Sequence, residues 1–277
     1  MLGDFFCPVC KDSLVTAAAS LCCVPCGREF EIVDGVPDFF IIETGHDAID
    51  DPNKTWLDSE IVEARDAYYS LCARQLKGMA FCMQGIARRT RPGCRILEVG
   101  MGTGHFTRWL AEVAEPGTEI YAFDFSWPII EKAKVNAGGL PSVMLFRADA
   151  RGMLPFEDAS FDIVLLRLAP LGPRGVSNVQ VGFELLKPGG WLFEAGWKGE
   201  QYETPPTEWA IQHGFESAEH HVWQYWRAQS EQERAAMEVE FERLVSLIKP
   251  SRIETREKVA DGVRLKMTHE NLLIARK

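Results

Sequence analysis

Arg95-Ile96-Leu97-Glu98-Val99-Gly100-Met101-Gly102-Thr103-Gly104 is the stretch on which the fold turns. Its first five residues, apolar but for Arg95 and Glu98, read as a short buried strand. Three glycines at alternate positions follow at once. There the chain turns sharply, and backbone N–H groups approach a ligand with no Cβ in the way. From His105 the pattern becomes helical, with Phe106, Trp109, Leu110 and Val113 on one side. Strand, glycine turn and helix together make a nucleotide-binding unit. A dinucleotide fingerprint, G-x-G-x-x-G, needs glycine at position 105, where this chain has His105. The spacing is G-x-G-x-G preceded by Glu98, which argues against a pyrophosphate-binding dehydrogenase.

Working outward, a second strand, Glu119 to Phe123, ends in Asp124, about twenty residues past the glycines, where an acid accepts hydrogen bonds from both ribose hydroxyls. Phe125 beside it is placed to pack on a purine face. A third strand, Val143 to Phe146, leads into Ala148-Asp149-Ala150, with Asp149 a candidate acceptor for an adenine amino group. Leu154-Pro155-Phe156-Glu157-Asp158 then precedes the run Ile163 to Leu166, and Lys187-Pro188-Gly189-Gly190 precedes the strand Trp191 to Glu194. Strands alternating with helices at this rhythm predict an α/β, doubly wound, Rossmann-like parallel sheet.

These motifs in this order strongly resemble class I S-adenosylmethionine-dependent methyltransferases, over about residues 92 to 196 and again at 249–277. The resemblance implies a seven-stranded sheet with S-adenosylmethionine as cofactor. It places Gly100, Gly102 and Gly104 under the methionine and ribose, and Glu98 at the amino end. Asp124 takes the ribose, Phe125, Asp149 and Ala150 take adenine, and Arg167 at the end of strand four joins the cofactor set. Charged Arg256 to Val259 and the stretch 263–274, joined by Ala260-Asp261-Gly262, are expected to form a terminal hairpin supplying the last two strands.

The N-terminus carries separate chemistry. Of eight cysteines, five lie within the first 26 residues, and clustered C-x-x-C pairs in a chain expected to be cytoplasmic indicate metal before disulfide. Cys7-Pro8-Val9-Cys10 and Cys23-Val24-Pro25-Cys26 are two knuckles that together complete a closed tetrahedron around structural Zn²⁺. Cys22 is the alternative to Cys23; the two-residue spacing favours Cys23. Phe30 to Pro37 alternates like a strand and turns at Asp34-Gly35. The stretch resembles zinc-ribbon modules found ahead of some methyltransferases. About 45 residues bury too little apolar surface to fold alone, and metal binding supplies what is missing. The expected organisation is a ribbon at 1–45, a linker and helical lid at 46–91, and a methyltransferase domain at 92–277 with a substrate-side insert at 197–250.

Apolar residues from Ile61 to Ile86 recur at spacings of three and four, predicting a helical pair that packs on the core and lids the pocket, with Tyr68 or Tyr69 facing the ligand. The insert holds half the tryptophans, Trp197 among them, and a capping box at Ser230 to Glu233 that starts a helix through Ile248. Tyr68, Tyr69, His105 and Trp197 are the candidate substrate contacts. His105, His220 and His221 are the candidate bases, needed only if the acceptor holds its proton tightly at neutral pH.

Charge narrows the acceptor. Thirty Lys and Arg against forty Asp and Glu leave −10, which disfavours a general nucleic-acid binder. The first 50 residues are strongly acidic, with Lys11 and Arg28 their only basic side chains, so the ribbon is a poor grip for phosphates. A four-cysteine module, a class I core and Arg167-x-x-Ala169-Pro170 also resemble bacterial large-subunit rRNA guanine methyltransferases, and 61–91 carries six basic residues against two acidic ones. A small-molecule acceptor is the first expectation and an rRNA base the second; a non-catalytic cofactor-binding scaffold is a third. No apolar run reaches the ~18 residues of a membrane span, and the first residues lack a secretory n-region.

Overall fold

A computed structural model describes residues 4–41, 59–167, 178–196, 205–224 and 269–277. The strand expected at the glycine turn is β5 (Arg95–Val99), and four of its five residues are buried. β6 (Glu119–Asp124), β7 (Val143–Arg147), β8 (Phe161–Arg167) and β9 (Leu186–Gly196) run parallel to it. All seven residues of β8 are buried, as expected for a central strand covered on both faces. Helices α3 (His105–Val113), α4 (Trp127–Asn136) and α5 (Asn178–Leu185) connect the strands.

The sheet has seven strands in the order β7-β6-β5-β8-β9-β11-β10, where β10 is Ser217–Gln224 and β11 is His269–Arg276. The chain leaves β5 in both directions, so the crevice at the carboxyl ends of β5 and β8 is the switch point where ligands bind in such sheets. β11 runs antiparallel to β9 and to β10. This corrects the expected terminal hairpin. Both flanks of β11 are taken, by β9 and by β10, so the last strand of the sheet is supplied by 217–224, where the expectation had placed 256–259. Those residues lie outside the described part. Physically, β10 offers eight residues in register, with His221 and Trp223 packing on Phe81 of α2 (Lys77–Ala87), whereas 256–259 is short and charged. β10 and α6 (Pro206–Gln212) both come from the stretch 197–250. The capping box at 230–233 and its helix lie outside the described residues.

The helical pair forms as expected: α1 (Ser59–Cys72), a 3-10 turn (Ala73–Gln75) and α2. Ile61, Val62, Tyr69, Leu76, Met79, Met83 and Ile86 are buried. Gly85 does not break α2; a Cβ there would lie 3.0 Å from the Phe193 ring, so the missing side chain permits close packing on β9.

The N-terminal strands β1 (Val15–Thr16), β2 (Ser20–Cys22), β3 (Glu29–Val33) and β4 (Val36–Pro37) form a small antiparallel sheet. It shares a core with the large domain. Phe5 and Phe39 pack at ring-centroid distances of 5.3 Å and 6.2 Å from Phe146, and Phe5 lies 5.8 Å from Tyr121. Beyond β4, Asp38 makes a parallel bridge to Arg147, covering part of the edge that β7 otherwise exposes. Among the described residues no helix is long and apolar enough to cross a membrane.

Candidate functional site

Gly100, Gly102 and Gly104 all adopt positive φ (73°, 56° and 85°), so each alternate position of the turn requires a conformation that other residues strain to reach. Their environments then differ. A Cβ on Gly102 meets nothing within 4 Å, so the turn opens onto the crevice there. A Cβ on Gly104 would lie 2.9 Å from the Ala133 Cα, because this residue starts α3 against the flank of α4. Gly104→Ala is therefore expected to cost about 2–4 kcal/mol, from the left-handed φ and the backbone collision combined. Chemical denaturation measures it; a loss below about 0.5 kcal/mol would show that α3 and α4 are not locked here.

Asp124 closes the other wall. It is 9% exposed and its carboxylate accepts the backbone N–H groups of Phe125 (2.8 Å), Gly102 (3.3 Å) and Ser126 (3.4 Å). Burial pushes its pKa up to about 6, against the pull of those three N–H donors and the Arg167 charge. The ends of β5 and β6 are thus joined through one carboxylate. Phe125 is half-buried beside it.

Glu98 is fully buried, and its Oε1 accepts a hydrogen bond from Arg167 Nη1 at 3.1 Å. The Arg167 guanidinium lies 3.8 Å from the Phe106 ring centroid, and Nη1 also reaches the Met101 carbonyl at 3.4 Å. Burial raises the Glu98 pKa while Arg167 opposes it. Arg167 Nε is buried with no hydrogen-bond partner among the described residues. A buried charge with an unused donor at the switch point fits an anionic ligand group. Asp149 is half-buried and held in a fork by Arg151, Nε to Oδ1 at 3.0 Å and Nη2 to Oδ2 at 2.9 Å. Ala150 beside it is half-buried.

Helix α1 packs on α3 and α4 above these ends. Its Asp66 accepts Asn136 Nδ2 at 2.7 Å and lies 2.9 Å from His105 Nε2, while Asn136 also donates to the Thr103 carbonyl at 2.7 Å. His105 thus ties α1 to the glycine turn. Tyr69 is buried edge-on to Phe106, 5.4 Å between centroids. Tyr68 lies on α1 with its side chain outside the described residues, and Trp197 lies outside them altogether. His220 and His221 are on β10, four strands from β5, which at about 4.8 Å per strand is about 19 Å away. The structure does not bring them to the crevice.

At the N-terminus the Sγ atoms of Cys7, Cys10, Cys23 and Cys26 all lie within 4.8 Å of one another. Four sulfurs at about 2.3 Å from one Zn²⁺ sit about 3.8 Å apart; Cys7–Cys26 is 3.6 Å and Cys10–Cys23 is 3.3 Å. The spacing fits. The two knuckles are built alike: Lys11 N–H donates to the Cys7 carbonyl and Gly27 N–H to that of Cys23, with φ of 60° and 70°. The Arg28 backbone N–H, then the Cys23 thiol, lower the Cys26 pKa to about 7, whereas burial raises that of Cys7. Cys22 lies on β2, its Sγ 3.6 Å from Ser20 Oγ, and is outside the cluster.

Arg167, Asp124 and the cysteines were legible as candidates. Asp66 and Asn136, which hold His105, carry no local signal.

Residues 96–190 match the family model described as a methyltransferase domain. Demethylmenaquinone methyltransferase of Staphylococcus aureus is 36% identical over 104 residues, 36% of this chain and 42% of that protein. The chain thus spans less than half the length of the curated relatives it matches. Phosphoethanolamine N-methyltransferase 2 of Haemonchus contortus, solved with phosphomonomethylethanolamine and S-adenosylhomocysteine, superposes with a TM-score of 0.56 at 19% identity, over 81% of this chain and 58% of that one. The same enzyme with S-adenosyl-L-methionine gives 0.54. That likeness establishes the fold.

Proposed function

We propose, from the match of residues 96–190 to the methyltransferase-domain family, that this protein transfers a methyl group from S-adenosylmethionine to a small-molecule acceptor. The observation that carries the reading is Asp124, a buried carboxylate bonded to the Gly102 N–H where the turn opens onto the crevice. Bound S-adenosylmethionine supplies a methyl group activated by its sulfonium. Asp124 binds the ribose diol, and Phe125, Asp149 and Ala150 line the adenine end, with Asp149 steadied by Arg151. Arg167, oriented by Glu98 and Phe106, receives the methionyl carboxylate. Helix α1, anchored by Tyr69 against Phe106, excludes water from the cofactor.

The small-molecule acceptor is supported by how the basic stretch 61–91 is used. Arg74 pairs with Glu112, Arg91 with Asp162 at 2.7 Å, and Arg89 stacks 3.8 Å from the Trp191 ring centroid. Burial lowers the pKa of Arg65. With four of the six basic side chains so engaged, exposed Lys77 and Arg88 make too short a strip of cations for a phosphate backbone. The Staphylococcus aureus relatives carry a small acceptor, demethylmenaquinone, in their name. In the ribbon we assign one structural Zn²⁺ to Cys7, Cys10, Cys23 and Cys26; four thiolates leave it no open position for water.

Isothermal calorimetry with S-adenosylhomocysteine tests the cofactor reading, and its pH profile is specific. A carboxylate is needed for the diol, so affinity should fall as pH drops through about 6, the Asp124 value. Stability of the ligand-free protein runs the other way. Between about pH 4 and 6 folded Asp124 keeps a proton that the unfolded chain has released, so this group costs stability as pH rises, by up to about 3 kcal/mol. A flat affinity profile from pH 5 to 8 sinks the assignment.

A further inference from the structure

Among the described residues β7 is the last strand on its side of the sheet, and no strand flanks the loop that leaves it on that side. The same loop carries Asp149 and Ala150. The ribbon supplies the missing neighbour at two points.

The first is Arg147, the last residue of β7. Its Nη1 donates to Asp38 Oδ2 of the ribbon at 2.9 Å and its Nε to the Phe125 carbonyl at 2.8 Å. Its own carbonyl accepts the Phe39 N–H at 2.8 Å. The guanidinium lies 4.3 Å from the Phe40 ring centroid and 5.2 Å from that of Trp127. One side chain thus connects the ribbon to the peptide that follows Asp124. The second point is Lys11, next to Cys10 in the first knuckle. Its Nζ donates to the Leu154 carbonyl at 2.8 Å and the Phe156 carbonyl at 3.0 Å, and the Phe6 N–H donates to the carbonyl between them, Pro155, at 3.0 Å. Lys11 holds a φ of 60° while doing so. Three successive carbonyls of the loop after Asp149 are therefore bonded to the knuckle.

We infer that the four-cysteine ribbon is a brace for the adenosine half of the cofactor site, with Lys11 and Arg147 as its positioning residues. The inference rests on the cofactor reading above and adds a purpose for the ribbon. The knuckle sets the place of Lys11, Lys11 sets the 154–156 carbonyls, and Arg147 sets the Phe125 peptide. Neither residue touches the ligand. The brace acts on the adenosine end, because the Arg147 contact falls at the ends of β6 and β7 and the Lys11 contact falls on the loop that follows Asp149, neither of them on Glu98 or Arg167.

The test uses the full chain as Lys11→Met, Lys11→Arg and Arg147→Lys variants, with metal content measured for each. Calorimetry is run with S-adenosylhomocysteine and with 5′-methylthioadenosine, which lacks the amino-acid end. Amide hydrogen exchange is followed at 124–127 and 149–156 without ligand. Lys11→Met and Arg147→Lys should weaken both ligands about tenfold at unchanged metal content, with faster exchange in those two segments. Lys11→Arg should recover most of the affinity, because its guanidinium still donates to two carbonyls; a lysine at 147 cannot span Asp38 and the Phe125 carbonyl together. In steady state the KM for S-adenosylmethionine should rise while that for the acceptor holds. Wild-type affinity in folded Lys11→Met and Arg147→Lys proteins overturns the brace. So does a loss shown by S-adenosylhomocysteine alone, which would place the effect at the methionine end. Failure of the wild-type protein to bind either ligand sinks the cofactor reading itself, and the brace with it.

Discussion

Asp124→Ala is expected to weaken S-adenosylmethionine binding by about 100-fold or more. The proposed diol gives the carboxylate two charge-assisted hydrogen bonds, each worth about 1.5–3 kcal/mol, and 1.4 kcal/mol is a factor of ten. The informative partner is Asp124→Asn. Its carbonyl oxygen still accepts the Phe125 N–H, but its amide nitrogen now faces the Gly102 N–H and cannot accept from the ribose. Its affinity should fall nearly as far as that of the alanine variant. Its thermal stability at pH 7.5 should not fall in proportion, since burial holds the Asp124 pKa up near 6 and ionised Asp124 is itself a cost to the folded chain. Calorimetry and a melting curve on the same sample separate the two roles. Wild-type affinity in the asparagine variant would falsify the ribose assignment, and parallel loss of melting temperature and binding would make Asp124 a structural residue.

The other large effect is expected at the cysteine cluster. Stripping the proposed zinc with a strong chelator, or replacing buried Cys7 with serine, removes the tie that holds the two knuckles together. The ribbon's apolar side chains are shared with the large domain: Phe5 and Phe39 close over Phe146, and Phe5 also meets Phe156 at 5.7 Å. Loosening the ribbon uncovers these rings, each worth about 1.5–3 kcal/mol when fully buried. A total loss near 4 kcal/mol corresponds to a fall in Tm of about 8–16 °C for a domain of this size. Wild-type protein should carry about one zinc per chain, with chelation and Cys7→Ser lowering Tm alike. Serine at Cys22 should leave both metal content and Tm nearly unchanged, because that thiol lies outside the cluster. Complete metal removal with no shift in Tm would show that packing alone holds the ribbon.

Some of this was legible because the chemistry is local. A turn of three glycines with positive φ, straight after an apolar strand, needs those residues whatever surrounds them. The two C-x-x-C knuckles likewise encode their own geometry, and Asp124 follows from strand length and spacing. The place of His105 was not legible. Beside the glycine turn it reads as a base or a substrate contact, yet it lies against Asp66 and Asn136, which are 39 and 31 residues away. No periodicity links three such positions. The strand partner of β11 was hidden for the same reason, since 217–224 and 269–276 meet only when the sheet assembles.

The sequence by itself determined the strand, glycine turn and helix, the helical pair and the four clustered cysteines, because each depends on the conformation and side-chain chemistry of a few neighbouring residues. Only the tertiary structure decided which strands flank β11, that Glu98 and Arg167 form one buried pair across 69 residues, and that an acidic four-cysteine ribbon shares its aromatic core with the edge of the sheet. The physical reason is burial. An aromatic ring or a carboxylate must leave water against whatever partner the folded chain brings to it, and a strand or knuckle motif does not specify that partner.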